Sequence, residues 1–174
     1  MFEFNVKAVE NLPRKQETLL IGIDGCGGAG KSTLARKIKE TLPDVTIVQM
    51  DDFYFKDAFN WQRLKRQVLE PLSKNLPAEY QRYDWQTEML AEWHKVETGG
   101  IVIVEGCYST RKELSDFYDY KIWVETPREI RLARGIERDG EKARWLWEEE
   151  WMPSEDLYVE NDLPRERADL IIYG

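Results

Sequence analysis

The sequence predicts an α/β fold in which a five-stranded parallel sheet is covered by helices on both faces. Five short apolar runs rich in β-branched residues are spread along the 174 residues, and helical stretches separate most of them. Runs that are apolar throughout are typical of strands buried on both faces. A glycine-rich loop and a helix follow the first run directly, as in a βαβ unit. The predicted strands are residues 19–23, 45–49, 101–105, 120–124 and 169–173.

The composition indicates one globular domain and argues against several classes of protein. A net charge of −8 disfavours bulk binding to nucleic acid or to an anionic membrane. No apolar run is long enough to span a membrane, and residues 1–16 are charged throughout, unlike a signal peptide. Two cysteines are too few to indicate a disulfide framework, so a reducing compartment is the default expectation for this protein. We therefore expect a single cytoplasmic domain over residues 1–174 that acts on a small molecule. The composition leaves the oligomeric state open, and a homodimer is one option.

The loop after the first strand reads GCGGAGKS at residues 25–32 and matches the pattern G-x-x-x-x-G-K-[ST]. A helix follows, with Leu34, Ala35, Ile38 and Leu42 at helical spacing. Glycines let successive backbone N–H groups turn around an anion, and the helix N-terminus adds positive potential at the same point. The sequence therefore predicts a binding site for the phosphates of a nucleoside triphosphate.

Two side chains of this loop have predicted chemical roles. Lys31 is expected to reach the β- and γ-phosphates, and the Ser32 hydroxyl to ligate Mg²⁺. A glycine-rich turn that matches the pattern by chance is the alternative. The predicted nucleotide-binding residues are Gly25, Gly27, Gly28, Ala29, Gly30, Lys31, Ser32 and Thr33.

Carboxylates follow the second and third predicted strands, at the edge where parallel sheets bind ligands. After the second strand, Asp51 or Asp52 is placed to take a proton from an attacking hydroxyl and to help organise a metal; capping of the next segment is the alternative. Glu105 closes an apolar run, where a carboxylate without a partner is costly. Mg²⁺ is its expected partner, and solvent exposure at the strand tip is the alternative.

A basic stretch follows the fourth predicted strand. Residues 128–144 hold six basic and four acidic side chains, and Arg131, Arg134 and Arg138 share one helix face. One interpretation is a lid whose guanidinium groups close over the phosphates, with Gly135 and Gly140 allowing it to move. A solvated helix with many salt bridges is the alternative.

Taken together, these motifs resemble the uridine kinase and phosphoribulokinase-like family of P-loop kinases, which also includes nicotinamide riboside kinases. The sequence adds DDFY at residues 51–54, VEG at 104–106, RLAR with a later RD between 131 and 139, and RADLII at 167–172. The resemblance covers about residues 19–174. It implies a three-layer P-loop NTPase sandwich with strand order 2-3-1-4-5, and ATP with Mg²⁺ as cofactors.

The resemblance also implies functions for individual residues and segments. Residues 51–98 correspond to the substrate-binding insert and residues 128–144 to a short arginine-rich lid, and Asp51 takes the position of the catalytic base. The implied catalytic residues are Asp51, Lys31, Arg134 and Arg138, and the implied metal ligands are Ser32, Glu105 and Asp51.

The acceptor side departs from the family pattern. YDW at residues 83–85 resembles a Y-D-F motif that lines the nucleoside pocket, but Glu88 and Leu90 stand where the family has a histidine and an arginine. Since a phosphorylated acceptor would need several cations, we expect a neutral nucleoside or similar riboside. A kinase of pantothenate or sugar type, or a nucleotide-dependent regulatory protein, is the alternative. The expected substrate residues are Tyr54, Asp57, Arg82 and Tyr83.

Overall fold

The computed structural model of the protein describes residues 6–55 and 58–174. In chain order the strands and α-helices are β1 (Leu19–Asp24), α1 (Lys31–Thr41), β2 (Val45–Gln49), β3 (Tyr54–Phe55), β4 (Ala58–Phe59), α2 (Trp61–Leu64), α3 (Glu70–Ser73), β5 (Ala78–Asp84), β6 (Met89–Val96), β7 (Ile101–Glu105), α4 (Lys112–Ser115), β8 (Tyr120–Glu125), α5 (Arg128–Asp139), α6 (Arg144–Leu146), α7 (Met152–Asp162) and β9 (Leu170–Tyr173). Turns of 3₁₀ helix lie at Val6–Asn11, Met50–Phe53 and Glu141–Ala143, and π-helical turns at Lys65–Leu69 and Trp147–Trp151.

Five strands form one parallel sheet in the order β2-β7-β1-β8-β9, which confirms the predicted order 2-3-1-4-5. Each predicted strand is present, with bounds that differ from the predicted ones by at most one residue. Glu105 lies in register with Ile23 on one side and Gln49 on the other. The carboxyl ends of β1, β2 and β7 therefore meet at one edge of the sheet.

Helices cover both faces of this sheet, so the predicted three-layer arrangement is confirmed. On one face, Leu34 and Ile38 of α1 pack on Ile21 and Ile103. Helices α2, α3 and α4 cover the other face, where a second buried cluster holds Leu20, Val48, Val102, Leu64, Val68 and Leu114. Side chains on both faces of a continuous apolar strand are thereby removed from water.

The connection between β2 and β7 carries a separate antiparallel hairpin of β5 and β6. Its inner side is anchored by Tyr80, whose ring lies 5.0 Å from that of Phe53. The hairpin exposes large apolar side chains elsewhere, among them Trp85 and Trp93, which are 52% and 60% exposed.

A second long segment, from α5 to α7, lies between β8 and β9. Trp147 holds it together: its side chain is buried, and its Nε1 donates to Asp139 at 2.9 Å. A Cβ atom on Gly135 would lie 2.4 Å from the Trp147 ring, so this close contact requires glycine. Over residues 6–55 and 58–174, no helix has the length and apolar character needed to cross a membrane.

Candidate active site

A cavity of about 1260 Å³ lies at the carboxyl edge of the sheet. Its walls come from the loop after β1, the ends of β2 and β7, the tip of the β5–β6 hairpin, helix α5 and the π-helical turn before α7. In parallel α/β sheets this edge is where ligands bind. The fold therefore brings distant parts of the chain together around one space.

Residues 25–32 form a tight loop that wraps the N-terminus of α1. Gly28 and Gly30 have φ angles of 74° and 102°, values that favour glycine. A Cβ atom on Gly28 would lie 2.5 Å from the Arg131 carbonyl oxygen, so the loop and helix α5 touch directly. This loop has the backbone conformation and the helix N-terminus that bind phosphate groups.

Most of the predicted nucleotide-binding residues face the cavity. Those that line it are Gly27, Gly28, Gly30, Lys31, Ser32 and Thr33. Gly25 packs against β8 instead, since a Cβ atom there would lie 2.5 Å from the Val124 carbonyl oxygen. Ala29 is fully buried in the core under α1. Gly25 and Ala29 thus shape the loop from behind.

Lys31 is a buried lysine at the floor of the cavity. Its Nζ donates to the Cys26 carbonyl oxygen at 2.9 Å and lies 3.5 Å from Cys107 Sγ. Burial lowers the pKa of Lys31, but its interactions with Cys107, Asp24, Glu105 and Glu155 outweigh that effect, so the net shift is upward. This direction favours the positively charged form of Lys31 in the cavity.

Three side chains that could offer oxygen ligands, Ser32, Asp51 and Glu105, line the cavity together with Lys31 and come from different elements. Glu105 is buried at the end of β7 and hydrogen-bonds with Ser32, the second residue of α1. Burial raises the Glu105 pKa, an effect that Ser32 and Lys31 oppose and Asp51 reinforces. The described residues form no cluster of three acidic, cysteine or histidine side chains. One or two carboxylates with a hydroxyl suit Mg²⁺, which keeps several waters and phosphate oxygens as its other ligands, so this donor set fits the metal.

Asp51 and Asp52 occupy different surroundings. Asp51 is exposed and lines the cavity, as its predicted role requires. Asp52 turns toward the hairpin and accepts a hydrogen bond from the Tyr80 hydroxyl at 3.2 Å. Arg63, which the sequence interpretation missed, fixes this turn by donating to the backbone oxygens of Asp52 and Tyr54 at 3.0 and 3.1 Å. Of the two carboxylates, Asp51 is the one that faces the space for substrates.

Three of the four arginines of α5, namely Arg131, Arg134 and Arg138, share one helix face in the sequence but lie in different environments. Arg134 and Arg138 line the cavity, and Arg134 Nη1 donates to the Gly28 carbonyl oxygen at 3.2 Å. Arg138 pairs with Asp139 at 2.7 Å. Arg131 is buried and pairs with Glu155 at 3.1 Å. Two guanidinium groups are thus available at the cavity, and the third is part of the packing.

A cluster of aromatic rings also lines the cavity. The Tyr54 ring lies 4.7 Å from Trp85 and 5.7 Å from Phe59, and Phe59 stacks on Tyr108 at 6.0 Å. Arg111 lines the cavity as well, and its guanidinium lies 5.1 Å from the centre of the Trp61 ring. Such walls suit a small molecule with a flat face.

The predicted substrate residues are only partly at this wall. Tyr54 lines it, and Asp57 lies outside the described residues. Arg82 pairs with Glu92 at 2.6 Å on the outside of the hairpin, because its strand position points it away from the cavity. Tyr83 is buried, with its ring 5.2 Å from that of Trp85. Trp85, Tyr108 and Arg111 line the cavity at the places expected for Arg82 and Tyr83.

Sequence interpretation also missed two buried carboxylates, Asp24 and Glu155. Asp24, at the end of β1, accepts five hydrogen bonds, from the N–H groups of Gly25, Tyr108 and Thr110 and from the hydroxyls of Thr110 and Tyr158. The acidic residue that ends an apolar strand was the available signal for Asp24. Nothing in the local pattern of α7 distinguishes Glu155 from its exposed acidic neighbours.

Comparison with known proteins agrees with this geometry. A family model described as an AAA domain matches residues 21–156. A uridine kinase of Halobacterium salinarum is 30% identical over an alignment of 139 positions, and the match covers 68% of this chain and 61% of that protein. A uridine kinase of Borrelia duttonii is 30% identical over an alignment of 141 positions, and the match covers 71% of this chain and 68% of the relative.

The chain thus spans between 61% and 68% of the length of the curated relatives it matches. A solved structure described as a possible uridine kinase from Bacillus stearothermophilus shares the fold. It superposes with a TM-score of 0.73 over 95% of this chain and 94% of that one, at 22% identity. The chain belongs to the uridine kinase-like family of P-loop kinases.

Proposed function

We propose that the protein transfers the γ-phosphoryl group of ATP to a hydroxyl group of a small molecule, and that the acceptor is a nucleoside or similar riboside. One observation carries this proposal. The phosphate loop, Asp51, Glu105, two arginines and an aromatic wall line a single cavity. Phosphoryl transfer needs a nucleotide site, a base and positive charge around one point, and these groups supply each of them.

The nucleotide side of the reaction belongs to the loop and α5. Gly27, Gly28, Gly30, Lys31 and Thr33 are the residues of this segment that would contact phosphate oxygens. Lys31, Arg134 and Arg138 bring three positive charges to the same cavity. Positive groups held in place before the reaction stabilise charge that develops on the transferring group.

Ser32, Glu105 and Asp51 would hold Mg²⁺. When bound, this ion would neutralise charge on the β- and γ-oxygens of the nucleotide. Glu105 is held in place for this role, because it is buried at a strand end and hydrogen-bonded with Ser32. Gly25 and Ala29 pack behind the loop, so they would hold it in place without contacting the metal ion.

Asp51 would act as the general base that takes the proton from the acceptor hydroxyl. Asp51 is exposed and lines the same cavity as Glu105 and the aromatic residue Tyr54. A base must face both the acceptor and the transferred group. Asp52 is turned away from this position by its hydrogen bond with Tyr80.

The acceptor would pack against the wall formed by Tyr54, Phe59, Trp85 and Tyr108. Rings of this kind pack on a base or sugar face. Outside the phosphate loop and α5, Arg111 is the one basic residue of the described lining, which suits a neutral acceptor better than a phosphorylated one. In this proposal residues 51–98 are the substrate-binding insert, residues 128–144 the arginine lid, and residues 1–174 one kinase domain.

Release of ADP with and without candidate acceptors tests this function. The panel contains nucleosides, nicotinamide riboside, pantothenate and sugar phosphates, each with ATP and Mg²⁺. We expect little ADP until a nucleoside or riboside is added. Turnover with a phosphorylated or carboxylate acceptor alone would overturn the riboside assignment and leave the kinase assignment standing. Equal slow hydrolysis with and without every acceptor would favour a regulatory protein.

A further inference from the structure

We propose that Glu155 is a positioning residue that holds the phosphate loop and helix α5 in register, so that it governs the transfer step more than nucleotide binding. This inference rests on the proposed kinase function. Glu155 belongs to α7 and lies 128 residues from Gly27 of the loop and 24 residues from Arg131 of α5.

The contacts of Glu155 join three segments around the cavity. Its Oε1 accepts a hydrogen bond from the Gly27 N–H at 2.8 Å and lies 3.3 Å from Cys107 Sγ. Its Oε2 accepts one from Arg131 Nη1 at 3.1 Å. The side chain is 6% exposed, and a Cβ atom on Gly27 would lie 2.9 Å from Oε1. One carboxylate is therefore shared by the phosphate loop, the loop after β7 and helix α5.

Arg131 fixes the other end of this link. It is 7% exposed, and its Nε donates to the Thr126 carbonyl oxygen at 3.1 Å. Its guanidinium is held by a carbonyl oxygen and a carboxylate at once, and the backbone of Arg131 already touches Gly28. A buried ion pair held in this way specifies one arrangement of its segments, because moving either partner would leave a charge buried without compensation.

The position of Arg131 affects the cavity through helix α5. Arg134 and Arg138 are three and seven residues beyond Arg131 in the same helix, and both line the cavity. If Arg131 rotates or slides, the guanidinium groups of these two residues move with the rigid helix. Displacements of about 1 Å at reacting groups can reduce turnover by about a hundredfold. Glu155 is therefore placed to set where the transfer-stabilising charges lie.

Glu155→Gln separates this role from binding. Glutamine keeps an oxygen that accepts from the Gly27 N–H, so the loop retains its shape, but it forms no ion pair with Arg131. We expect kcat to fall at least about tenfold, with the KM for ATP changed less than about threefold. Asp156→Asn is the matched control. Asp156 is the next residue of α7 and pairs with Arg128 of α5 at 2.7 Å on the exposed surface, without reaching the loop. Its kcat should stay within about twofold of wild type.

A second variant tests whether a loss of activity in Glu155→Gln could come from misfolding instead of from the lost ion pair. Glu155→Asp keeps the charge beside Arg131 but is one methylene shorter, so it cannot reach both Gly27 and Arg131. We expect a folded protein with an intermediate loss of kcat. Unchanged kcat in both Glu155 variants would overturn the proposal, as would a loss of the same size in Asp156→Asn.

Hydrogen exchange gives a readout that needs no acceptor. In wild type, ATP with Mg²⁺ should slow amide exchange both in the loop, residues 25–32, and in helix residues 131–139. In Glu155→Gln, we expect protection of the loop without protection of the helix. Equal helix protection in both proteins would contradict the inference. Absence of turnover with every acceptor would count against the proposed function instead, and this exchange comparison would still decide the role of Glu155.

Discussion

The carboxylates of Asp51 and Asp52 are adjacent in sequence, but Asp51 faces the central cavity while Asp52 accepts a hydrogen bond from the Tyr80 hydroxyl at 3.2 Å. The cause is the 3₁₀ turn Met50–Phe53, in which successive side chains point about 120° apart. Met50 and Phe53 are buried by this turn, which leaves the two aspartates pointing in different directions. Two residues that the sequence presents as equivalent candidates are thus separated by local geometry.

The first prediction concerns the base. Asp51→Asn should lower kcat by roughly a hundredfold or more while leaving most of the affinity for ATP, because asparagine cannot take a proton from the acceptor. Asp52→Asn should keep kcat within a few-fold of wild type. Steady-state kinetics with the active acceptor and a direct measurement of ATP binding check both. Near-normal turnover of Asp51→Asn would show that the base is elsewhere.

The second prediction concerns the aromatic wall. Trp85→Ala should raise the KM for the acceptor at least about fivefold with little change in the KM for ATP, because loss of stacking on a ring costs about 1–3 kcal/mol. Trp93→Ala is the matched control, since Trp93 lies on the same hairpin, is similarly exposed and is absent from the cavity lining. Similar kinetics for the two variants would remove Trp85 from the acceptor site.

The third prediction concerns Asp24. Burial raises the pKa of this carboxyl above its ordinary value of 3.8, and its hydrogen bonds with Tyr158, Thr110 and Gly25 only partly oppose that effect. The folded protein therefore binds the proton more tightly than the unfolded chain does. The contribution of Asp24 to the free energy of unfolding should fall as pH rises from about 3.8 through the raised folded-state pKa.

Urea unfolding of wild type and Asp24→Asn between pH 4 and pH 8 measures this contribution. Asparagine does not titrate, so the difference in unfolding free energy, wild type minus variant, should decrease with rising pH. The variant also loses hydrogen bonds, which shifts the difference in unfolding free energy by an amount that does not come from titration of the asparagine. A difference that grows with pH would contradict the assignment of burial as the dominant effect on Asp24.

The sheet could be predicted from sequence because its signals are local. The buried strands β1 and β7 are continuous apolar runs, and the glycine loop must follow the first of them. Side-chain placement in the hairpin was harder to predict. A register irregularity between Gln81 and Tyr83 sets which residues face outward, and a shift of one residue exchanges the two faces of a strand. Arg82 consequently faces Glu92 rather than the cavity.

The arginine helix shows a second limit of sequence reasoning. Arg131, Arg134 and Arg138 have the spacing of one helix face, which predicts a common environment. Glu155 arrives from α7 and buries Arg131 alone. Spacing within a helix defines which side chains are neighbours, but the element that covers them comes from elsewhere in the chain. The spacing therefore groups Arg134 and Arg138, which line the cavity, with Arg131, which is part of the packing.

Mass spectrometry of the acceptor after incubation with ATP and Mg²⁺ tests the central claim most directly. Wild type should convert a nucleoside or riboside into its phosphomonoester. Lys31→Ala should give no product, because the buried ammonium group on the cavity floor is lost. No phosphomonoester with any hydroxyl-bearing acceptor, or equal product formation by Lys31→Ala, would contradict the account.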